Sequence, residues 1–250
     1  MEPIIGGVDH VFVPVLDPQA VFHLLTRELG LPEAWPFQTY GAFASGGVGL
    51  GNANLEIVAH NPASPWFRAQ APARVQGVVF APSRPVDAAY AEAVRMRNIP
   101  CLPPAPHEGE LLGHRGVVWT NLLFLDFISP VAGAMVCEYH VPEAVDPAAR
   151  QARLDGAQGG ALGVLALAEL VIASPDRAAA EARWRRLLDP VEPVGGVWIL
   201  PLGPALRLVP GPADQVEGLV LRVRDPAAAA RALAPFAPLL AGLEIDFVGA

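Results

Sequence analysis

The stretch DHVFVPVLDPQAVFHLLTRELG, residues 9–30, combines a strand, a turn and a helix, and this combination decides the fold. In its first part valines occupy every second position and share one strand face, so His10 and Phe12 share the other face. Asp17 is placed to cap the start of a helix, and Gly30 to end it. The stretch therefore predicts a strand, a tight turn and an amphipathic helix.

The same outline recurs three times along the chain, beginning at Gln76, Glu169 and Gly218. Each copy is an apolar strand followed by an Asp-, Ser- or Pro-containing helix start and an alanine-rich helix. After the first helix, residues 35–51 predict two strands linked by glycine turns, and residues 52–60 predict a third. Repetition of one supersecondary unit constrains the whole architecture, and here the unit is βαβββ.

The amino-acid composition excludes lysine-dependent reactions and indicates the class of binding partner. All 17 basic residues are arginine, so Schiff-base chemistry, lysine-anchored pyridoxal phosphate and lysine-bearing phosphate loops are excluded. The formal net charge of −8 argues against nucleic acid or an anionic membrane surface as a partner and favours a small molecule. The absence of lysine together with 27 prolines is typical of the coding bias of a high-GC bacterium.

The cysteines and the N-terminal sequence predict a cytoplasmic protein. Cys101 and Cys137 are the only cysteines, and their spacing is not typical of zinc or redox motifs. The N-terminal residues lack a basic region followed by an apolar run, and no apolar stretch reaches the roughly 18 residues of a membrane span.

The spacing of the units predicts two domains. The first covers residues 1–140, with units at 7–60 and 75–140. Residues 141–162 are polar, Ala/Arg-rich and then glycine-rich, which indicates a helical linker with a flexible end. The second domain, 163–250, is shorter, because its last unit has room for only one or two strands after the helix.

The chain resembles the vicinal oxygen chelate superfamily, which includes glyoxalases, bleomycin-resistance proteins and extradiol dioxygenases. The matching features are His10 in DHVFVPVLD, the helix end RELGLP, the strand pair GVGLGNANLEIV and the recurrence of the unit at Gln76. The resemblance covers residues 7–140 and, more loosely, 163–248. It implies an α+β fold in which repeated βαβββ units form cup-shaped mixed sheets, as two tandem glyoxalase-like domains with the second degenerate.

The resemblance also implies a divalent metal ion, which could be Zn, Ni, Fe, Mn or Mg, held by residues in the first and last strands of the paired units. Carried onto this sequence, the metal positions are His10, Glu56, Gln76 and Glu138. Glu56 or Glu138 would then serve as the proton-transfer base. Because histidine is commoner at the position of Gln76, the set departs from an extradiol iron site, which has two histidines and one carboxylate.

The first-strand positions lie seven residues before each helix start, since Asp17 gives His10 and Ser83 gives Gln76. The same count in the second domain gives Glu169 and Gly218, with Arg207 at the position of Glu56, and this set cannot hold a metal. We expect that domain to be kept for assembly or to shape the pocket of the first. Several aromatic residues could line an apolar substrate cup, although aromatic residues in short strands are more often part of a core. They are Trp35, Phe37, Tyr40, Trp66, Phe67, Trp119 and Phe124.

Three functions remain open from the sequence. The leading hypothesis is a metal-dependent isomerase or lyase acting on a small oxygenated substrate, with a dioxygenase as a further alternative. A metal-free binding protein of the drug-sequestering type is its rival, and a purely structural role, such as assembly of a homodimer, is the third. Convergence of His10, Glu56 and Glu138 on one point would favour the metal enzyme, because a binding cup does not require it.

Overall fold

The computed structural model describes residues 2–41, 43–63, 73–127, 133–141 and 146–250. The first βαβββ unit has the order that the sequence predicts. Its elements are β1 (Ile5–Val15), α1 (Pro18–His23) continued by a π-helical turn (Leu24–Glu28), β2 (Glu33–Tyr40), β3 (Phe43–Gly49) and β4 (Asn54–Ala59). The Asp17 side chain accepts a hydrogen bond from the Ala20 amide at 3.1 Å, and Gly30 follows the helix with a φ of +65°.

The second unit repeats the order strand, helix and three strands. Its elements are β5 (Gly77–Pro82), α2 (Val86–Arg95), β6 (Ala105–Leu111), β7 (His114–Leu123), a 3₁₀ turn (Leu125–Phe127) and β8 (Gly133–Tyr139).

Both units form one mixed sheet of eight strands in the order β2-β3-β4-β1-β5-β8-β7-β6. Within each unit the first and last strands pair in parallel, and β1 and β5 pair antiparallel at the centre. The sheet curls so far that Tyr40 of β2 contacts Trp119 of β7, with ring centroids 5.6 Å apart. The predicted α+β fold with a cup-shaped sheet is confirmed.

A second, smaller mixed sheet has five strands in the order β10-β11-β9-β12-β13. Its elements are β9 (Val164–Ser174), α4 (Arg177–Leu188), β10 (Val197–Trp198), β11 (Ala205–Pro210), β12 (Gln215–Val223), α5 (Pro226–Leu233), a 3₁₀ turn (Ala234–Phe236) and β13 (Glu244–Val248). In its last unit one strand, β13, follows helix α5.

The chain between the two sheets contains helix α3 (Pro147–Gly156), whose buried residues are Arg150 and Leu154. The strands of the sheets come from residues 5–139 and 164–248, on either side of the predicted linker. One continuous cluster of buried apolar side chains runs through both sheets. Within it Phe80 of β5 contacts Trp184 of α4, with ring centroids 6.3 Å apart.

Polar contacts join the two sheets as well. The Asn52 side chain donates to the Leu167 carbonyl and accepts from the Leu167 amide, both at 2.9 Å, so it pairs with β9 as a backbone peptide would. The Val8 amide donates to the Leu202 carbonyl at 3.2 Å. A side chain at Gly7 would not fit there, because its Cβ would lie 2.1 Å from the Leu202 oxygen.

Arg97 makes the most extensive of these contacts. Its buried guanidinium donates to the carbonyl oxygens of Arg186, Leu187 and Asp189, which lie at the end of α4, and to that of Glu2. It also lies 3.3 Å from the carboxylate of Glu92. One side chain therefore ties α2 to the end of α4 and to the N-terminal segment.

No helix among the described residues is long and apolar enough to cross a membrane.

Replacement of Arg97 tests the polar contacts between the sheets. We expect Arg97→Met to lower the free energy of unfolding by about 3 kcal/mol, because it leaves buried carbonyl groups without donors. Arg95→Met, at the exposed last residue of α2, is the control and should change it by less than about 0.5 kcal/mol. Equal urea denaturation midpoints for the two variants would contradict the assigned role of Arg97.

Candidate functional site

The concave face of the eight-stranded sheet encloses a cavity of about 680 Å³, which we call the cup. Its walls are mainly apolar and aromatic, and the volume is typical of sites for small organic molecules. The lining residues are His10, Phe12, Glu33, Ala34, Trp35, Pro36, Tyr40, Phe43, Ser45, Asn54, Glu56, Val79, Leu111, Leu112, Trp119, Asn121, Leu123, Met135, Cys137, Tyr139 and Arg153.

Strand β1 places His10 in the cup as its alternation predicts. His10 and Phe12 line the cup, whereas Val11 and Val13 belong to the core that packs behind the sheet. Next to His10 the pairing with β5 shifts by one residue, since Val8 pairs with Phe80 and His10 with Val79. Asp9 is therefore the extra residue of a β-bulge, which leaves it without an opposite partner in the ladder.

His10 lies between two carboxylates. Its Nδ1 is 2.7 Å from Oδ2 of Asp9, and its Nε2 is 3.4 Å from Oε2 of Glu56. Glu56 reaches this position because β4 pairs with β1 in parallel, with Asn54 opposite His10 and Glu56 opposite Phe12. The ring edge of His10 also contacts Trp35, with centroids 5.8 Å apart. Each nitrogen of the imidazole ring therefore has an acidic partner.

Helix α3 contributes the fourth charged group. Arg150 Nη2 donates to Oδ1 of Asp9 at 2.6 Å, and Arg150 Nη1 donates to the Asp9 carbonyl at 3.1 Å. Arg150, Asp9, His10 and Glu56 are each between 4% and 9% exposed, so the chain of charges is buried throughout. Two positive and two negative groups balance in it, which meets the requirement that buried charges be paired.

The buried chain changes the protonation of its members. Burial disfavours the charged imidazolium, but the hydrogen bonds and charges of Asp9 and Glu56 outweigh it and raise the pKa of His10 to about 9. Burial also opposes ionisation of Asp9, yet His10 and Arg150 hold the pKa of that carboxyl below its usual range. At neutral pH His10 is therefore an imidazolium beside the Asp9 carboxylate.

Three further polar atoms of the cup have no hydrogen-bond partner among the described residues, and all three residues are buried. One is the Tyr40 hydroxyl of β2, and the other two are the Ser45 hydroxyl oxygen of β3 and the Asn54 carbonyl oxygen Oδ1 of β4. A buried polar atom without a partner costs free energy and indicates a place where water or a ligand binds. We call the surface formed by His10, Ser45, Asn54 and Glu56 the polar side of the cup.

Glu138 lies outside the cup, in contrast to the metal set that the resemblance implies. On β8 the residues that line the cup are Met135, Cys137 and Tyr139, so Glu138 points to the opposite face. There its Oε2 accepts a hydrogen bond of 3.2 Å from the Val86 amide, the first residue of α2. Glu138 therefore helps to cap a helix and is not positioned as a base for the cup.

Gln76 does not line the cup either. It is buried just before β5, where its amide donates to the Phe12 carbonyl at 2.9 Å. Its neighbour Gly77 is paired with Phe12, and a Cβ at Gly77 would lie 1.9 Å from the Phe12 ring. Phe12 thus fills the space beside Gly77, and counting seven residues back from Ser83 reaches Gln76, one residue beyond Gly77.

The structure brings together two of the four positions implied for the metal, His10 and Glu56. No group of three His, Cys, Asp or Glu side chains in the described parts of the chain has a geometry that could hold a metal ion. Catalytic zinc and non-haem iron sites use three protein ligands, whereas His10 and Glu56 supply two. The donor set does not fit a resident divalent metal.

The remaining sequence candidates divide between cup and core. Trp35, Tyr40 and Trp119 line the cup, whereas Phe37 and Phe124 pack in the core; Trp66 and Phe67 lie outside the described residues. Burial raises the pKa of the Cys137 thiol and of the Tyr139 phenol well above their usual values. Both groups therefore stay protonated, and Cys137 is not an activated nucleophile.

The second sheet carries the corresponding pair in the same register. Val171 is opposite Arg207 as Phe12 is opposite Glu56, and the Arg207 guanidinium forms an ion pair with Glu169. The bulge recurs too, with Ala168 as the extra residue. An alanine in the place of Asp9 and an arginine in the place of Glu56 leave the second sheet without the buried chain of charges.

Sequence reasoning missed Asp9 and Arg150. The bulge that makes Asp9 an extra residue has no sequence signal of its own, because β1 reads as an ordinary alternating strand. Arg150 lies in the segment interpreted as a linker, 141 positions from Asp9. The one available signal is its spacing of four residues from Leu154, which places both on one helix face.

No protein-family model matches the chain, and no curated protein matches it. Among solved structures, a hypothetical protein from Staphylococcus aureus is similar over 98% of this chain and 99% of its own, with 10% identity and a TM-score of 0.65. The homoprotocatechuate 2,3-dioxygenase of Arthrobacter globiformis is similar over 95% of this chain and 69% of its own, with 13% identity and a TM-score of 0.56. That of Brevibacterium fuscum, solved with 3,4-dihydroxyphenylacetate, is similar over 95% and 70%, with 13% identity and a TM-score of 0.56. These similarities establish the fold, which is the one that the resemblance in the sequence implies.

Proposed function

We propose that the cup binds a small, mainly aromatic molecule with a polar head, and that His10 and Glu56 transfer a proton to or from that head. The observation that carries the proposal is the position of a buried ion pair and three unpartnered polar atoms in a cavity with aromatic walls. A few placed polar groups in an apolar cavity are what fixes the orientation of small ligands. The aromatic walls supply the area for binding, and the polar side supplies the selectivity.

The polar side favours a head that donates hydrogen bonds. Asn54 Oδ1 and the Glu56 carboxylate are acceptors, and the Ser45 hydroxyl can accept or donate. A hydroxyl group on a ring would give one of these atoms the donor that it lacks. A carboxylate head would instead bring a second negative charge close to Glu56, which is unfavourable in a buried site.

The charge states support acid–base chemistry. His10 carries a proton at neutral pH, and the Glu56 carboxylate lies beside it, so the polar side holds an acid and a base together. A reaction that removes a proton at one atom of a substrate and returns one at another, as in isomerases and lyases, uses such a pair. We propose that class of reaction without a metal.

The metal-dependent glyoxalase or dioxygenase reaction to which the resemblance points needs more protein donors than the cup supplies. Elemental analysis after incubation with Zn, Ni, Fe(II) or Mn tests this alternative. We expect well under one equivalent of metal per chain. About one equivalent that is lost in both His10→Ala and Glu56→Ala but kept in Glu138→Ala would replace the metal-free proposal with the metal-dependent one.

Two matched glutamate variants test the binding site. We expect Glu56→Gln to weaken binding of 2-naphthol about tenfold, because it replaces a charged acceptor with a neutral one. Glu138→Gln, in the last strand of the second unit but outside the cup, should leave the affinity unchanged. Quenching of tryptophan fluorescence measures both, since Trp35 and Trp119 line the cup.

The probes themselves provide the chemical control. 2-Methoxynaphthalene has the same rings without a donor, and 2-naphthoate has a carboxylate instead, so both should bind more weakly than 2-naphthol. Equal affinity for the three probes would contradict a donor-selective polar side. An effect of Glu138→Gln as large as that of Glu56→Gln would contradict the location of the site.

The raised pKa of His10 predicts a dependence of stability on pH. The stability that its proton contributes is fully present below the unfolded pKa of about 6.5 and is lost as the pH rises through about 9. The difference in unfolding free energy between the wild type and His10→Gln should therefore shrink across this range. Urea denaturation at several pH values measures it, and a difference that does not vary with pH would show that His10 is not held as an imidazolium.

A further inference from the structure

We propose that Arg150, from helix α3 outside the cup-forming sheet, is a positioning residue that fixes the His10 ring by holding Asp9. The functional consequence rests on the proposed ligand site, because His10 is part of its polar side. The contact itself is independent of any ligand.

The bulge in β1 creates the need for such a residue. As the extra residue of the bulge, Asp9 has no opposite partner in β5 that would restrain it. Arg150 supplies the restraint at two points, through the Asp9 carbonyl at 3.1 Å and through Oδ1 at 2.6 Å. A planar guanidinium that bonds both a carbonyl and a carboxylate of one residue fixes the orientation of that residue.

The restraint passes from Asp9 to the ring. With Oδ1 bound to Arg150, Oδ2 remains for Nδ1 of His10 at 2.7 Å. This bond orients the imidazole so that Nε2 is directed towards Glu56 and the cup. Arg150 has no contact with the cup, so it acts on the site only through Asp9.

The second sheet provides an internal comparison. It has the same bulge, but the extra residue is Ala168, which has no carboxylate that could bind an arginine. Glu169, in the place of His10, pairs directly with Arg207. The bulge alone therefore does not require a buried arginine, and Arg150 is present where the extra residue of the bulge is acidic and a histidine follows it.

The test is nuclear magnetic resonance of the ring of His10 in protein labelled with ¹⁵N-histidine. The chain has six histidines, and His10→Gln identifies the signal. In the wild type we expect an imidazolium whose Nδ1 proton exchanges slowly with water. In Arg150→Met the exchange should be at least about tenfold faster, because a buried hydrogen bond that loses its support opens more often.

Matched variants separate positioning from stability. Arg97→Met also removes a buried arginine that binds carbonyl groups, so it should lower stability without changing the His10 signal. Arg150→Lys keeps the positive charge but loses the planar guanidinium that bonds Asp9 at two points, so it should give an intermediate exchange rate. This substitution also serves as the second variant if Arg150→Met does not fold. Unchanged exchange in folded Arg150→Met and Arg150→Lys would overturn the proposal, as would an equal effect of Arg97→Met.

A double-mutant cycle tests whether Arg150 acts through Asp9. Once Asp9→Asn has removed the carboxylate, adding Arg150→Met should change the His10 signal little further. Additive effects of the two substitutions would contradict the proposal that Arg150 acts on His10 through Asp9. Binding of 2-naphthol is measured on the same proteins. If the wild type does not bind 2-naphthol but the His10 signal responds as expected, the proposed ligand fails and the role of Arg150 stands.

Discussion

Mutual neutralisation of four buried charges on and around β1 is the constraint on which the rest of the structure depends. An isolated ion in the interior costs several kcal/mol even after relaxation, so none of the four groups could be buried alone. His10 is balanced by Asp9 and Glu56, and Asp9 in turn by Arg150. Because Arg150 belongs to α3, the position of this helix against the first sheet is coupled to the charge state of the cup.

The two sheets show what this constraint adds to a common scaffold. Both have a first strand with a bulge, a parallel partner strand and the same register between them, so the backbone does not distinguish the sites. The side chains do. Where the first sheet has Asp9 and Glu56, the second has Ala168 and Arg207, and Glu169 and Arg207 complete a simple ion pair that is partly exposed to water. The two sheets thus share a backbone arrangement, but the first has a buried acid and base side by side and the second has an ion pair that is partly exposed.

Local patterns in the sequence predicted the elements and the faces of the strands, because both depend on neighbouring residues. The alternation in β1 and β4 placed His10 and Glu56 on one side, and Asp17 and Gly30 marked the ends of a helix. Counting between units failed at Gln76, since the bulge in β1 shifts the register and Phe12 occupies the space beside Gly77. Alternation in β8 places Glu138 with Val136 and away from Cys137, but it does not reveal which of these faces the cup. That choice depends on pairing with β5, a contact between distant parts of the chain.

Arg150 shows where local reasoning ends and why the two halves of the chain act together. Its segment is polar and rich in alanine and arginine, and nothing nearby in the sequence requires a buried cation. The requirement comes from Asp9, 141 positions earlier, and it is met only when α3 packs against the first sheet. That packing is supported from the other side, because the Asn52 side chain pairs with β9 and one apolar cluster runs through both sheets. A separated first domain ending at residue 140 would keep the aromatic walls of the cup but would bury Asp9 without its cation. The second domain and the segment before it therefore stabilise the buried charges of the site. Of the described residues after 140, Arg153 of α3 is the one that lines the cup.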